Sequence, residues 1–338
     1  MMNFTYARAT DVADAVRQIA ADSTAKFIAG GTNLIDLMKE DVERPTRLID
    51  ISRLPLRTVE ETQDGGVRIG ALVPNSDLAW HPLIEQRYPM LSSAILAGAS
   101  QQLRNMASTG GNLLQRTRCA YFYDTATPCN KREPGTGCSA IDGFNRMHAI
   151  FGTSEACIAA HPSDMCVALA ALEAKVHVSG PAGERVIPFA DFHRLPGDQP
   201  QIDTNLQPNE IITAIELPAK GFASNYTYLK IRDRLSYAFA LVSVAAAIEF
   251  DGNRIKDARL ALGSVAHKPW RDTEVEASLR GQTATQEVFM HAADVLLRNA
   301  KGFNHNTFKI NLARRTIVRA FAQAALGTPQ SQTDKTIR

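Results

Sequence analysis

The stretch from residue 119 to residue 157 contains four of the five cysteines of this 338-residue chain and shows no hydrophobic periodicity. It opens with CAYFYDTATPCNKREPGTGC and is rich in Pro, Gly, Asn and Thr. So long a connection without a core of its own usually has a function or an internal cross-link. In a reducing compartment, thiols crowded into one loop are more often metal or cluster ligands than disulfide partners.

The four cysteines of this stretch are the candidate metal ligands. Cys119, Cys129, Cys138 and Cys157 have 9, 8 and 18 residues between them. Four soft thiolates that converge on one centre suit a [4Fe–4S] cluster. Structural zinc usually shows a C-x-x-C pair, which is absent, and disulfides are disfavoured because no export signal is visible. Unrelated buried thiols fit poorly with a polar loop.

Other residues near these thiols are weaker candidates for a role at the metal site. Cys166 lies on a segment with helical apolar spacing, so we interpret it as a core thiol. His148 and His161 have the chemistry of metal ligands, but a lone loop histidine more often makes a local hydrogen bond. Arg118, Lys131 and Arg132 flank the thiols, where they either offset an anionic cluster or are simply solvated.

The rest of the chain has the pattern of a mixed α+β protein. Short strands and helices alternate over the first seventy residues, and regular patterning resumes at 165–180. A boundary is predicted near 221–225, because the remainder consists of strands, including a buried one at 237–250, followed by helices near 283–299 and 307–325. The last dozen residues have the composition of a solvated tail.

Composition excludes several classes of function. A net charge of +2 and the absence of any basic window argue against a nucleic-acid partner. The longest apolar run, 237–250, is shorter than the roughly 20 residues needed to span a bilayer. The N-terminus has no signal peptide, which predicts a cytoplasmic protein, with co-export on a signal-bearing partner to the periplasm as the alternative.

Two glycine turns are candidate anion sites. KFIAGGTNL ends a strand at Gly30 and Gly31, and STGGNLLQ repeats the pattern at 108–115. Backbone N–H groups at such turns can approach a phosphate closely. Neither turn is a G-x-G-x-x-G motif or a P-loop, and each alone is explained by an ordinary tight turn. Two of them in one α/β domain favour a long dinucleotide.

Five motifs in order resemble the FAD-binding medium subunit of the xanthine dehydrogenase family of molybdenum hydroxylases. They are FIAGGTNL, GGVRIGALVPNSDLA, STGGNLLQ, HPSDMCVALAALEAKV and SVAHKPWRDTEVEASL. The resemblance implies a two-lobed FAD-binding domain of the vanillyl-alcohol-oxidase (PCMH) type over 1–222, with a lobe boundary near 55–65 and a Cys-rich insertion at 116–160. It further implies a small α+β C-terminal domain at 223–327, and the composition of 328–338 predicts a flexible tail.

The resemblance also implies the residues that bind FAD. The backbone of the first turn would hold the pyrophosphate: Phe27, Ile28, Ala29, Gly30, Gly31, Thr32, Asn33 and Leu34. The second turn would continue the site with Ser108, Gly111, Asn112 and Gln115. Asp164 would accept a hydrogen bond from a ribose or ribityl hydroxyl, and Lys230 would lie near the flavin ring. Without the resemblance, Asp164 reads as a helix N-cap and Lys230 as a solvated strand residue.

The insertion and its flanks are similar to those of the aldehyde oxidoreductase type. The expected function is therefore an FAD-binding electron-transfer subunit, working with a large molybdenum-cofactor subunit, a small [2Fe–2S] subunit and a small-molecule electron acceptor. The alternatives are a subunit resembling those of hydroxybenzoyl-CoA reductase or xanthine dehydrogenase, or a cluster-stabilised scaffold without flavin. No catalytic side chains are predicted, because the chemistry would belong to the cofactors.

Overall fold

The first lobe is a small parallel sheet with two helices, in a computed structural model that describes residues 1–327. Its strand order is β1-β3-β2, and every strand pairs in parallel. Asp11 caps the first helix by accepting from the Asp14 N–H, and the helix buries Ala15, Val16 and Ile19. The elements are β1 (Thr5–Arg8), α1 (Val12–Ala20), β2 (Ala25–Ile28), α2 (Leu34–Lys39) and β3 (Arg47–Asp50).

The second lobe is a five-stranded antiparallel sheet covered by helices. Its order is β4-β5-β8-β6-β7. Two helices form its centre: α5 (Pro89–Ala97) buries eight of its nine residues, and α10 (Asp164–Ala171) buries all eight. The strands are β4 (Val59–Glu61), β5 (Val67–Gly70), β6 (Lys175–Gly180), β7 (Gly183–Pro188) and β8 (Ile211–Leu217). The helices are α3 (Asn75–Ala79), α4 (Pro82–Arg87), α5 (Pro89–Ala97), α6 (Gln101–Met106), α7 (Thr109–Leu113), α10 (Asp164–Ala171) and α11 (Phe189–Phe192).

The C-terminal part is an antiparallel sheet with helices packed on one side. Its order is β12-β11-β10-β9. The long α14 packs against β9, β10 and α13, and its apolar stripe includes the fully buried Ile317 and Phe321. The elements are β9 (Tyr226–Ile231), β10 (Val242–Asp251), β11 (Arg254–Gly263), β12 (Trp270–Arg271), α12 (Thr273–Leu279), α13 (Gln286–Leu297) and α14 (Phe308–Leu326).

The Cys-rich insertion has only two single-turn helices, α8 (Ala120–Tyr123) and α9 (Ser139–Asp142). Its apolar core is small and groups Phe122 and Cys129 with Leu37 of α2. Its second half is held by the C-terminal part: the Ile150 N–H donates to Val265 O at 2.9 Å, and the His161 N–H donates to Ala266 O at 2.8 Å. The insertion is therefore held in place by hydrogen bonds to the C-terminal part rather than by a large core of its own.

The α+β class expected from the sequence is confirmed, with local differences. The strand predicted at 237–250 begins only at Val242, because its neighbour β9 ends at Ile231 and earlier residues have no strand to pair with. Helix α12 was not predicted. Within residues 1–327, every helix is too short or too polar to cross a bilayer. The predicted tail, 328–338, lies outside the described residues.

Gly263 provides a test of the contact between the two larger units. A Cβ at this position would lie 2.3 Å from Ser243 Oγ and 2.5 Å from Val167 Cγ2, which belongs to α10. Overpacking of this kind costs about 1–3 kcal/mol. We therefore expect Gly263→Ala to lower the urea midpoint of unfolding.

The double variant Gly263→Ala with Ser243→Ala removes one of these two clashes. It should recover part of the lost stability, measured in the same urea titration. An unchanged midpoint in the single variant would show that this contact is not tightly packed.

Candidate functional site

The first glycine turn is shaped for close approach to a ligand. Gly30 lies so near the Met106 carbonyl that a Cβ would be 1.7 Å from its oxygen, and Gly31 has a φ of +71°. Within residues 1–327, none of the backbone N–H groups from Gly30 to Asn33 donates a hydrogen bond. The turn therefore presents a row of free donors.

Asn33 adds a side-chain donor to this row. Its Oδ1 accepts from the Arg116 N–H at 2.9 Å, which fixes the orientation of the amide. Its Nδ2 is buried and has no partner within the described residues. A buried donor without a partner is costly, so this group is suited to a ligand that supplies an acceptor. Asn33 does not cap α2 with its side chain.

The second glycine turn is part of a hydrogen-bonded wall. Ser108 caps α7 by accepting from the Gly111 N–H at 3.2 Å. The Asn112 amide is shared: it donates to Asn75 Oδ1 at 2.7 Å and accepts from the Ser163 hydroxyl at 2.6 Å. Gln115 also donates to Asn112 Oδ1, at 2.9 Å. Ser108, Asn112 and Gln115 thus lie together, with the Asn112 side chain already partly engaged.

Asp164 and Lys230 form a buried ion pair. The Lys230 Nζ lies 2.8 Å from Asp164 Oδ2, with side-chain exposures of 4% and 8%. The Tyr228 hydroxyl donates to the other carboxylate oxygen at 2.7 Å. The reading of Lys230 as a solvated residue is wrong, because β9 turns its side chain inward. The N-cap of α10 is Ser163, and Asp164 is the first helical residue.

All fourteen predicted flavin-binding residues line one cleft of about 1120 Å³ between the lobes. The segment after β9, with Asp233, Arg234, Tyr237 and Phe239, forms one rim. Cofactor pockets commonly reach about 1000 Å³, so this cleft suits a ligand as large as a dinucleotide. The free donors of the first turn lie in its wall. These residues fit FAD, although their individual contacts with it stay predictions.

The four predicted ligand cysteines line one small cavity, together with Phe122, Lys131 and their neighbours. All five cysteines of the chain are free thiols. Burial raises the pKa of Cys119 to about 12, partly offset by the backbone N–H groups of Phe122 and Tyr121. A hydrogen bond from Cys157 lowers the pKa of Cys138 to about 6 and correspondingly raises that of Cys157. Cys166 is fully buried in α10, as a core thiol would be.

Two histidines contact this cavity's thiols. His148 Nε2 lies 3.1 Å from Cys119 Sγ, and His267 Nε2 lies 3.3 Å from Cys157 Sγ. Burial lowers the pKa of His148 to about 4 and that of His267 to about 3. Both rings are therefore neutral at neutral pH.

A separate group of buried ligand-type atoms comes from His161, His193 and Cys166, all within 4.8 Å of one another. His193 Nε2 is 2.9 Å from Leu113 O, so one ring nitrogen is already used. Burial lowers the pKa of His193 to about 4. His161 and His193 line the cleft, whereas Cys166 does not.

Buried ion pairs lie between the cysteine-lined cavity and the cleft with the predicted flavin residues. Lys131 is buried, and its Nζ donates to Asp203 Oδ1 at 2.5 Å and to Pro200 O at 2.6 Å. Arg116 also binds Asp203, at 2.8 Å, and Glu43, at 2.7 Å. Solvation is therefore not the role of Lys131. Thr117 and Lys131 line both the cavity and the cleft.

Sequence reasoning missed several of these residues. Tyr228 had a signal, because it lies two positions before Lys230 on a strand and so shares its face. His267 lay within a recognised motif but had no sign of a thiol partner. Asn75 also lay within a recognised motif, but nothing there indicated its partner Asn112, and Asp203 had no local signal; their partners are 37 or more residues away.

The fold and cleft are those of an FAD-binding flavoprotein. Residues 2–220 match the FAD-binding domain in molybdopterin dehydrogenase, and residues 226–324 match the CO dehydrogenase flavoprotein C-terminal domain. The chain therefore belongs to the family of FAD-binding subunits of molybdopterin dehydrogenases. The predicted family and the FAD cofactor are confirmed.

Three relatives illustrate this similarity. The chain is 53% identical to the aldehyde oxidoreductase FAD-binding subunit PaoB of Escherichia coli, over 96% of this chain and 99% of the relative. It is 28% identical to the glyceraldehyde dehydrogenase medium chain of Sulfolobus acidocaldarius, over 84% of each. A solved carbon monoxide dehydrogenase structure from Hydrogenophaga pseudoflava aligns with a TM-score of 0.76 at 26% identity, over 97% and 99% of the two chains.

The buried pair at Lys230 generates a stability prediction. Lys230→Met leaves the Asp164 carboxylate buried with only Tyr228 as a side-chain partner, and loss of one member of a buried pair costs about 3–5 kcal/mol. The matched control is Lys175→Met, which breaks a pair with Glu216 in which the lysine is 54% exposed. Exposed pairs contribute about 0–1 kcal/mol. Urea unfolding should separate the two variants clearly, and equal losses would contradict a structural role for the buried pair.

Proposed function

We propose that this chain is the FAD-binding electron-transfer subunit of a heteromeric molybdenum-containing aldehyde oxidoreductase and that it holds a [4Fe–4S] cluster of its own. Its partners would be a large molybdenum-cofactor subunit and a small [2Fe–2S] subunit. Electrons from the molybdenum site would arrive through iron–sulfur clusters, reach FAD and leave to a small-molecule acceptor. The observation that carries the proposal is the convergence of fourteen predicted flavin residues on one cleft and of four thiols on a neighbouring cavity.

The first glycine turn would hold the pyrophosphate. Its free backbone N–H groups and the unpartnered Asn33 Nδ2 offer donors for phosphate oxygens. Gly30 lets the chain pack against Met106 without a side chain between them. Bound FAD supplies a centre that takes up two electrons, while the protein binds and orients it.

The far end of the cleft would hold the ribityl chain and the ring. Each oxygen of Asp164 accepts one hydrogen bond, from Tyr228 or Lys230. A carboxylate has about four acceptor sites, so Asp164 can also accept from a cofactor hydroxyl. The Lys230 ammonium balances its charge, which keeps this buried part of the cleft close to neutral.

The four thiols would bind the cluster. A tetrahedral zinc with Zn–S bonds of about 2.3 Å would bring its sulfurs roughly 4 Å apart. Within residues 1–327, no three of these four sulfurs lie within 4.8 Å of one another. The absence of such a group of three disfavours a tetrahedral zinc, although the Cys138 and Cys157 thiols are close enough to hydrogen-bond. Four thiolates suit a [4Fe–4S] cluster, and the free thiols argue against a disulfide staple.

The position of the cavity favours electron transfer over a purely structural role for the cluster. Thr117 and Lys131 form part of the wall of both the cavity and the cleft, so a cluster there would adjoin the cleft that is proposed to hold FAD. A scaffold subunit without flavin would have no use for the free donors at the first turn.

The choice of aldehydes rests on the relatives. Two of the proteins that this chain resembles are named for aldehyde oxidation, one of them at 53% identity. Xanthine dehydrogenase subunits match at about half that identity, so a xanthine dehydrogenase-like role is the second candidate, together with a hydroxybenzoyl-CoA reductase-like one. No side chain of this chain is assigned a catalytic role.

The cluster is tested by iron analysis and by the absorbance spectrum of the purified full-length chain before and after anaerobic reduction with dithionite. We expect about four irons and one FAD per chain, as a Cys₄ cluster and one flavin require. Cys129→Ser should lose the iron and the broad iron–sulfur absorbance. Cys166→Ala is the control, because this thiol lies outside the cavity and should leave the iron unchanged.

Each contrary result has a distinct meaning. Flavin without iron, or zinc in its place, would overturn the cluster and leave the flavin proposal intact. Iron without flavin would overturn the flavin site and support the scaffold. Cys129→Ser protein that keeps all its iron would remove Cys129 from the ligand set.

The pyrophosphate site is tested by Asn33→Asp. This change keeps the oxygen that accepts from Arg116 N–H but replaces the free donor with a negatively charged oxygen. Hydrogen bonds to charged groups contribute about 1.5–3 kcal/mol, so we expect FAD to bind at least tenfold more weakly. Asn253→Asp, in the exposed turn between β10 and β11, adds the same charge away from the cleft and should have no effect on flavin titration. Equal affinity in both variants would place the pyrophosphate elsewhere.

A further inference from the structure

Two histidine side chains have no role in the function proposed so far, although both contact candidate cluster ligands. His148 Nε2 is 3.1 Å from Cys119 Sγ, and His267 Nε2 is 3.3 Å from Cys157 Sγ. Both residues are buried, with 5% and 8% exposure. Each therefore faces a different thiol of the same cavity, shielded from water.

The surroundings decide which partner donates. The Nδ1 atoms of both rings are buried and have no partner within the described residues. A proton on Nδ1 would leave a buried N–H without an acceptor, whereas a proton on Nε2 points at sulfur. A thiolate that binds iron has no proton to give, so the imidazole must donate. Both rings are thus N–H···S donors once the thiols are metal ligands.

The C-terminal domain holds both rings in place. His267 belongs to it, directly after Val265 and Ala266, whose carbonyls accept from Ile150 in the insertion and from His161 just after it. His148 is fixed through its backbone: its carbonyl oxygen accepts from Lys309 Nζ at 2.8 Å and from Asn306 Nδ2 at 3.2 Å. Lys309 and Asn306 are fully buried. These contacts fix the backbone from which each ring reaches its thiol.

We propose that His148 and His267 are positioning residues that raise the reduction potential of the cluster by donating hydrogen bonds to two of its cysteine ligands. This inference rests on the proposed cluster. Reduction adds one electron to a centre that four thiolates already make anionic. Donors to the sulfurs stabilise the added negative charge, and hydrogen bonding to ligand sulfur is an established determinant of cluster potential.

This arrangement also makes the reduction potential of the cluster depend on the packing of the FAD domain against the C-terminal domain. The sulfur donors come from, or are anchored by, the C-terminal domain, while Cys119 and Cys157 belong to the insertion of the FAD domain. The cluster would therefore have its full potential only when the two domains are packed together.

The test is a redox titration of the purified full-length chain, following the cluster by electron paramagnetic resonance. His267→Leu and His148→Leu remove one donor each and should lower the midpoint potential. We expect about a tenfold shift in the ratio of reduced to oxidised cluster for each, or about 59 mV for a one-electron couple. His267→Gln and His148→Gln keep a donor at the position of Nε2 and should recover most of the potential.

His291→Leu is the matched control, because this histidine is exposed on α13 and remote from the thiols. Iron is counted in every sample. Protein without iron would overturn the cluster itself, whereas full iron with unchanged potentials in both leucine variants would overturn this inference and leave the cluster standing.

A second measurement uses the unsubstituted protein, in case the leucine variants fail to fold. In protein labelled with ¹⁵N at histidine only, pulsed electron paramagnetic resonance of the reduced cluster should detect coupling to histidine nitrogen through the N–H···S bonds. Iron-containing protein that shows no such coupling would contradict the proposal.

Discussion

The Asp164 carboxylate is the point at which both domains and the cleft meet. It lies at the start of α10, a helix that is buried along its whole length and packs against α5 and against β10 and β11 of the C-terminal sheet. Lys230 and Tyr228 come from β9 of that sheet. A carboxylate removed from water needs such partners to offset the cost of its burial. Asp164 has them only when the two domains are packed together, and this packing also sets the charge at the end of the cleft.

The Cys-rich insertion does not determine how the domains pack. Instead, contacts with the two domains hold the insertion in its conformation. Its two helices have a single turn each, and its own apolar cluster is small. It is tied to both domains by backbone hydrogen bonds of Ile150 and its neighbours, by Lys309, which donates to the His148 carbonyl, and by the Lys131–Asp203 pair. A bound cluster would add a central cross-link to a segment that has too little hydrophobic burial to fold alone.

Part of the site was predictable because it is local in sequence. The Gly30–Gly31 turn ends a strand and begins a helix within a few residues, and the spacing of the four cysteines is visible directly. The charge network was not predictable. Lys230 and Lys131 were each read as potentially solvated, because a lysine on a strand or in a polar loop is usually exposed. Only the fold shows that carboxylates distant in sequence, Asp164 and Asp203, meet them in the interior.

The sequence by itself determined the α+β class, which follows from the spacing of apolar residues, and the family and its FAD cofactor, which follow from short motifs that resemble those of known FAD-binding subunits. The tertiary structure alone decided which side chains pair across long separations. Asn33 with Arg116, Asp164 with Lys230 and His267 with Cys157 are 83, 66 and 110 residues apart. Such pairs arise from how the domains pack, and burial then gives each polar group a partner that no local pattern specifies.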